Sequence, residues 1–301
     1  MPRGWTTVTR GVHRPEEATD VLGASLCAWQ AVLPDHSCFT HLSGALLLGL
    51  WLPWLPPDVL SGGRVWAQVP RSAGGVRRVG VKVMRSDLTA SPTLLHRGNL
   101  QLTVAPVGDV LLTLAADLDP TDLLVAVDSA FQLGLTDRGT LDRVASLRRR
   151  GAPALRRVLT LADGRSESPW ETVLRELHRV AEVPVTPQFE VRNGAGAFVA
   201  RGDLRVVGHR VLHEYDGDRH LEVERQRADL RRARRLEAAG WLRRGYTSDD
   251  LLRRPHEVMA DLDRTLDRPG SPLRLQAWRR LVASSAVSAA GRRALWARLA
   301  R

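Results

Sequence analysis

Apolar positions recur along the chain with two periods, one near 3.6 residues and one of two, and they divide it into helices and strands. In the first half, residues 18–32, 40–50, 107–116, 120–133 and 136–150 carry the longer period and predict helices. Thr19 or Asp20 is placed to cap the first of these, with Pro34 beyond its end, and Pro53, Pro56 and Pro57 stop the second. Residues 64–70, 76–84 and 100–104 read as strands, and 1–20 as a single strand leading into the first helix. In the second half a polar turn at 163–165 precedes SPWETVLRELHRV. Ser168 is a good N-cap, Pro169 a good first helical residue, and Glu171 completes a capping box at the third position. Val173, Leu174, Leu177 and Val180 fall on one face of that helix, enough to pack on a sheet. Strands follow at 184–192, 198–206 and 210–215, then a long helix at 221–239 ended by Gly240, a last strand at 241–247 and a covering helix at 255–266. The expected fold class is α/β in both halves, as a domain over 1–163, a second over 164–268, and a basic helical tail over 269–301.

The alternation is sharpest in FVARGDLRVVGHRVLHEYDG, two strands flanking Gly208-His209. A glycine at the first place of a two-residue loop suits a type II′ hairpin. With that loop Val207 pairs with Arg210, and counting outward sets Asp203 opposite Glu214 and Arg201 opposite Asp216. Side chains alternate along a strand, so Glu214 and Asp216 share a face and Tyr215 points away. Three carboxylates therefore converge on one patch of sheet. Directly opposed like charges cost up to about 1 kcal/mol per pair. A divalent cation is the simplest compensation, because magnesium takes carboxylates together with water and substrate phosphate. The alternative is a solvent-facing hairpin whose acids pair with Arg201, Arg205 and Arg210.

At 301 residues the chain exceeds one ordinary core. Its formal net charge is +11, and the basic groups are almost all arginine, Lys82 being the only lysine. Codon bias explains arginine in place of lysine but not the excess of base over acid, so nucleic acid, DNA or RNA, is the expected polyanionic partner. A homodimer is the assembly carried as an expectation. Cys27 and Cys38 make no disulfide framework. No charged-then-apolar signal pattern opens the chain, and the most apolar run, 42–55, is too short to cross a bilayer and contains Pro53. The cytoplasm, with no membrane partner, is the expected compartment. Cys27, His36, Cys38 and His41 form the one cluster of ligand chemistry in the first half, but its spacing straddles a helix end and a proline. Zinc sites favour tighter pairs, so buried small residues and a helix-end histidine are expected there instead.

Three pieces of the first half, TRGVHRP, LPDHSCFTHLSGALLLG, and VGDVLLTLAADL followed by LLVAVDSAF, resemble the N-terminal region of actinobacterial proteins related to AbiEi-type antitoxins. From 168 to 259 the chain resembles PD-(D/E)XK nuclease-like proteins related to the very-short-patch repair endonuclease. The carrying residues are Ser168 and Glu171 in SPWETVLR, Pro187-Gln188, Arg201 and Asp203 in ARGDL, Glu214, Tyr215, Asp216, Gly217 and His220 in EYDGDRH, Asp229 and Arg232 in DLRR, and Gly240-Trp241. That resemblance implies a restriction-endonuclease-like fold, a central mixed sheet flanked by helices. It implies Asp203 as the central ligand of Mg²⁺ or Mn²⁺, Glu214 as the second acid, Asp216 in the place of the motif's lysine, and Glu171 approaching from the first helix. His220 becomes the proton donor or acceptor, suited to it by a histidine's ordinary pKa of about 6.5. Arg232 or Arg225 would neutralise the scissile phosphate, with Asp229 orienting it and Arg201 nearby on the substrate side. The implied reaction is hydrolysis of DNA phosphodiesters by metal-bound water. The alternative function is a non-catalytic nucleic-acid-binding regulator of the type IV antitoxin kind. Relatives read G-W-x-V-x-R-x-T in the last strand. Here Gly245 stands where that arginine is expected and Arg243 replaces an apolar residue, and the domain holds no lysine.

Overall fold

Asp20 opens the first long helix as expected, its carboxylate accepting the Gly23 N–H at 2.9 Å. The computed structural model describes residues 4–52, 54–73, 77–217 and 223–300, with backbone alone for 223–229. It is an α/β protein of two units, Met1–Ala162 with Leu295–Arg301, and Asp163–Ala294.

The first unit begins with a hairpin, β1 (Trp5–Thr9) antiparallel to β2 (Val12–Pro15), where a single strand was expected. Gly11, at φ +77°, supplies the tight turn that hides two strands in so short a stretch. The following elements are α1 (Val21–Gln30), β3 (Cys38–Phe39), α2 (His41–Leu47), α3 (Pro57–Leu60), β4 (Val65–Val69), β5 (Val81–Arg85), β6 (Thr93–Arg97) and β7 (Leu100–Val104). The last five strands form a mixed sheet in the order β5-β4-β3-β7-β6. Leu26, Trp29, Phe39, Val65, Ala67 and Leu102 fill the core between that sheet and α1. Then come α4 (Val107–Leu114), α5 (Pro120–Gln132), α6 (Arg138–Ser146) and α7 (Ala152–Leu159). The single helix expected over 136–150 is thus shorter. Asp137 caps α6 through Thr140 N at 2.8 Å, and the left-handed Gly151, φ +89°, starts α7 on a new axis.

The second unit runs α8 (Pro169–Val180), β8 (Val185–Arg192), β9 (Phe198–Val206), β10 (Val211–Tyr215), α9 (Val223–Ala238), β11 (Leu242–Tyr246), α10 (Ser248–Leu252), α11 (Pro255–Thr265) and α12 (Pro272–Ser284), and α13 (Ala289–Leu299) follows. Its sheet has the order β11-β10-β9-β8, antiparallel except that β10 and β11 are parallel, as the crossover through α9 requires. Residues 269–301 do not behave as one tail. α12 packs on α8 and α11, and Trp278, fully buried, donates its indole N–H to the Leu251 carbonyl at 2.9 Å.

The β9–β10 hairpin keeps the expected register, Arg205 opposite Leu212 and Leu204 opposite His213, but not the expected loop. Gly208 is the third residue of a turn closed by His209 N–H to the Val206 carbonyl at 3.1 Å, with φ +82°. Val207 and Arg210 leave the ladder together, one from each side, so the loop lengthens without a slip. Val191, Val199, Ala200 and Leu212 of the sheet meet Leu236 of α9 in the core, with Phe189 and Trp241 packed against them. Gly202 makes room for this, because a Cβ there would lie 2.8 Å from Leu212. Gly202→Ala is expected to lower stability by about 1–3 kcal/mol through overpacking, read as a fall in the urea midpoint at unchanged slope.

Candidate functional site

Three elements of the second unit deliver four acids to one region: Glu171 from the first turn of α8, Asp203 from β9, and Glu214 and Asp216 from the end of β10 and just beyond it. Glu214 is only 4% exposed, so its charge must be met locally. Arg232 of α9 grips it with two guanidinium nitrogens, Nη1 to Oε2 at 2.8 Å and Nη2 to Oε1. Arg243 of β11 adds a bond from Nε to Oε2 and reaches Asp216 Oδ1 through Nη2. Burial works against ionisation of Glu214, yet the bonds from Arg232 and Arg243 hold its carboxyl below the usual carboxylate range. The Arg232 Nη2 also donates to the Arg201 carbonyl at 2.6 Å, which ties the helix to β9.

The last strand explains how two arginines fit. Gly245 lies opposite Glu214 in the parallel ladder, and a Cβ on it would come within 1.8 Å of Asp216 Oδ2. An arginine at 245 is incompatible with this placement of Asp216. Arg243, two residues earlier and so on the same face of the strand, brings its guanidinium to the acids instead. Gly245 leaves the room that Asp216 occupies, and Arg243 supplies the guanidinium that meets it.

Asp203 has the opposite electrostatics. Its Oδ2 accepts the Tyr215 N–H at 2.8 Å, but burial first, and then the neighbouring Glu171 and Glu214, push the carboxyl up to about 7. Opposite it in the β8–β9 ladder the register skips Gln188, whose backbone is left-handed at φ +50°. That turn sends the Gln188 Nε2 to Glu171 Oε2 at 2.9 Å. Glu171 also accepts the Glu167 N–H at 2.8 Å, and burial raises its carboxyl. The expected capping box is therefore half formed. Ser168 Oγ accepts Glu171 N–H at 3.2 Å, while the Glu171 carboxylate turns to Glu167 and Gln188. Arg201, expected across from Asp216, pairs with Glu167 at 2.7 Å. Arg205 lies over the Phe189 ring, 4.5 Å from its centroid, and bonds none of these acids. His220 falls outside the described residues, as do the side chains of Arg225 and Asp229.

Among the described residues, no group of three His, Cys, Asp or Glu side chains is arranged to hold a metal ion. With both Glu214 oxygens bonded to guanidiniums and Asp216 sharing Arg243, a divalent cation does not fit Asp203, Glu214 and Asp216 in this arrangement. In the first unit Cys38 is buried with its thiol pushed up to about 12 by burial and then by Asp109, and His41 contacts Asp117 at 3.2 Å and stacks on Trp66. The cysteine and histidine cluster of that half is not assembled as a ligand set.

A second polar pair was not foreseen. His178 of α8 and His213 of β10 are fully buried and share a hydrogen bond at 2.7 Å. His178 Nδ1 lies 2.8 Å from the Leu174 carbonyl, which only accepts, so Nδ1 carries the proton and Nε2 accepts from His213 Nδ1–H. Burial holds His178 down to about 4 and lowers His213 as well, with His178 and Arg244 adding to the second shift. Because both folded values lie below the unfolded one, the stability these rings contribute is present above about pH 6.5 and lost as pH falls. We expect about 1.4 kcal/mol per ring to disappear between about pH 7.5 and 5.5, and His178→Leu to flatten that slope in urea melts. The ring stack of Trp170 on Tyr215, 5.5 Å between centroids and 10° from parallel, closes the same side of the sheet.

No family model matches the chain, and no solved structure does. Two curated proteins are similar, an uncharacterised protein of Mycobacterium tuberculosis strain CDC 1551 (MT2308) and an uncharacterised protein of strain H37Rv (Rv2248). Each is 29% identical over 177 residues, 58% of this chain, and the match spans 65% of the relative's length.

Proposed function

We propose that the second unit is a nuclease-like domain that binds the phosphate backbone of DNA without cutting it, in the manner of a regulator of the type IV antitoxin kind. The observation that carries this reading is the saturation of Glu214 by Arg232 and Arg243. The helix, three antiparallel strands, crossover helix and parallel strand support the restriction-endonuclease-like frame. Arg231, Arg234 and Arg235 of α9 are exposed and have no carboxylate partner among the described residues, a row suited to phosphates. Such binding is salt-dependent, with a slope of about −0.9 in log K for each phosphate neutralised. Replacing these three arginines by glutamine is expected to flatten the slope by about 0.9 for each phosphate left without its guanidinium, read by gel shift across a salt series.

A second reading, a Mg²⁺- or Mn²⁺-dependent endonuclease, is favoured by Asp203. A carboxyl driven to about 7 by burial and by two neighbouring acids marks a place where positive charge would be welcome. Supercoiled plasmid separates the two. Wild type and Asp203→Ala that both bind DNA and nick nothing in Mg²⁺ or Mn²⁺ uphold the regulator. Metal-dependent nicking that disappears in Asp203→Ala replaces it with the endonuclease.

A further inference from the structure

We infer that the first unit holds a binding site for an organic phosphate, a nucleotide being the simplest member of the class. The inference rests on the first unit alone and is independent of the proposal for the second.

Two cavities share a wall there. One, of about 420 Å³, is lined by Arg71, Lys82, Arg85, Arg148, Arg149 and Arg150, and Asp117 is the only acid on its surface among the described residues. The other, of about 670 Å³, has an apolar side made by Leu88, Pro106, Val107, Leu135, Val144 and Leu147. Arg71, Ser86 and Arg149 line both. Volumes of a few hundred Å³, largely apolar with a few fixed polar groups, are those of small-ligand sites.

The cations are held in place from behind. Asp117 meets His41 at 3.2 Å, Arg150 at 3.1 Å and Lys82 at 3.9 Å, and its carboxyl stays low because His41, Lys82 and Arg150 outweigh burial. Asp109, fully buried, takes Arg149 Nη1 at 2.9 Å and the Thr89 N–H at 2.9 Å, and Arg149 Nη2 donates to Ser86 Oγ. Two acids thus orient three cations, while Arg85 and Arg148 are exposed and have no carboxylate partner among the described residues. Arg71 meets Asp87 at 3.9 Å, and the other five cations lining the basic cavity still outnumber Asp117. Lys82 sharpens the point. Every other basic side chain counted with it in this chain is an arginine, and the one lysine stands here. A compact ammonium with three rotatable donors meets a phosphoryl oxygen from a narrow approach that a planar guanidinium does not fit. A phosphoryl group in the basic cavity with its organic body in the apolar one accounts for both halves.

Calorimetry on the full chain tests this with AMP, adenosine and inorganic phosphate. AMP is expected to bind at least tenfold more tightly than either part alone. Arg85→Gln/Arg148→Gln, whose circular dichroism should match wild type because neither side chain holds the fold, is expected to weaken AMP at least tenfold. Leu135→Glu is expected to weaken AMP and adenosine while leaving inorganic phosphate unchanged. Adenosine binding as tightly as AMP, indifference of AMP to the double variant, or no heat with millimolar AMP overturns the site. A 5′-phosphorylated trinucleotide that competes with AMP, where its 5′-hydroxyl counterpart does not, assigns the phosphate to a strand end. Failure of both to compete assigns it to a free nucleotide, and either result upholds the site.

Discussion

Glu214→Ala should destabilise the second unit by about 3–5 kcal/mol, the cost of leaving charge buried without its partner. The alanine deletes one carboxylate but strands two guanidiniums, since Arg232 and Arg243 both end on Glu214 and Arg232 ties α9 to β9 through the Arg201 carbonyl. Glu214→Gln should cost less, because an amide oxygen still accepts one of these bonds. The depressed carboxyl also sets a pH signature. Its stabilisation is complete above the ordinary carboxylate range and is lost as pH falls through the folded value. Urea titration of wild type and both variants checks this. A loss below about 1 kcal/mol for the alanine would mean that the guanidiniums find water and the cluster contributes little to stability.

Asp203→Asn should act the other way and raise stability by about 3 kcal/mol above pH 7. A carboxyl whose folded pKa has risen from 3.8 to about 7 gives its full stabilisation only below the unfolded value and loses it as pH rises through the folded one. Fully expressed, such a rise corresponds to about 4 kcal/mol, reduced here because part of the group remains in water. The asparagine keeps an oxygen for the Tyr215 N–H, so the gain should vanish near pH 4 and grow to a plateau above 7. The same substitution removes a negative charge beside the proposed phosphate path, so DNA affinity should rise with it. A variant no more stable than wild type at pH 8 would show that Asp203 is not charged at a cost, and the reading of its environment would fail.

Much of this was legible in the chain. The bounds of β7 and β9 and the register of the hairpin followed from alternation, because one face of each strand is apolar and a slip would bury charge. The α/β class followed from the order of periods. β3 and β6 were not legible: two residues are too few to show a period, and Thr93–Arg97 is an exposed edge with no apolar face to announce it. The site was legible as a set of acids but not as a set of bonds. Arg243 reads in sequence as a charge standing in an apolar place, and only the parallel pairing of β10 with β11 reveals that it meets Glu214 and Asp216. His178 and His213 stand 35 residues apart, on elements that no local pattern brings together.

The crossover through α9 has a kinetic consequence. Hairpin β9–β10 closes a short loop, whereas β11 reaches β10 only across the longer connection through α9, so its pairing is expected later. Arg232 and Arg243 both arrive in that late step, so an early hairpin presents Asp203 and Glu214 to each other with neither guanidinium present. Early folding is then a problem of electrostatic repulsion that salt relieves. Refolding of the second unit should accelerate with ionic strength, even as the finished Glu214 cluster, held by Arg232 and Arg243, gains little.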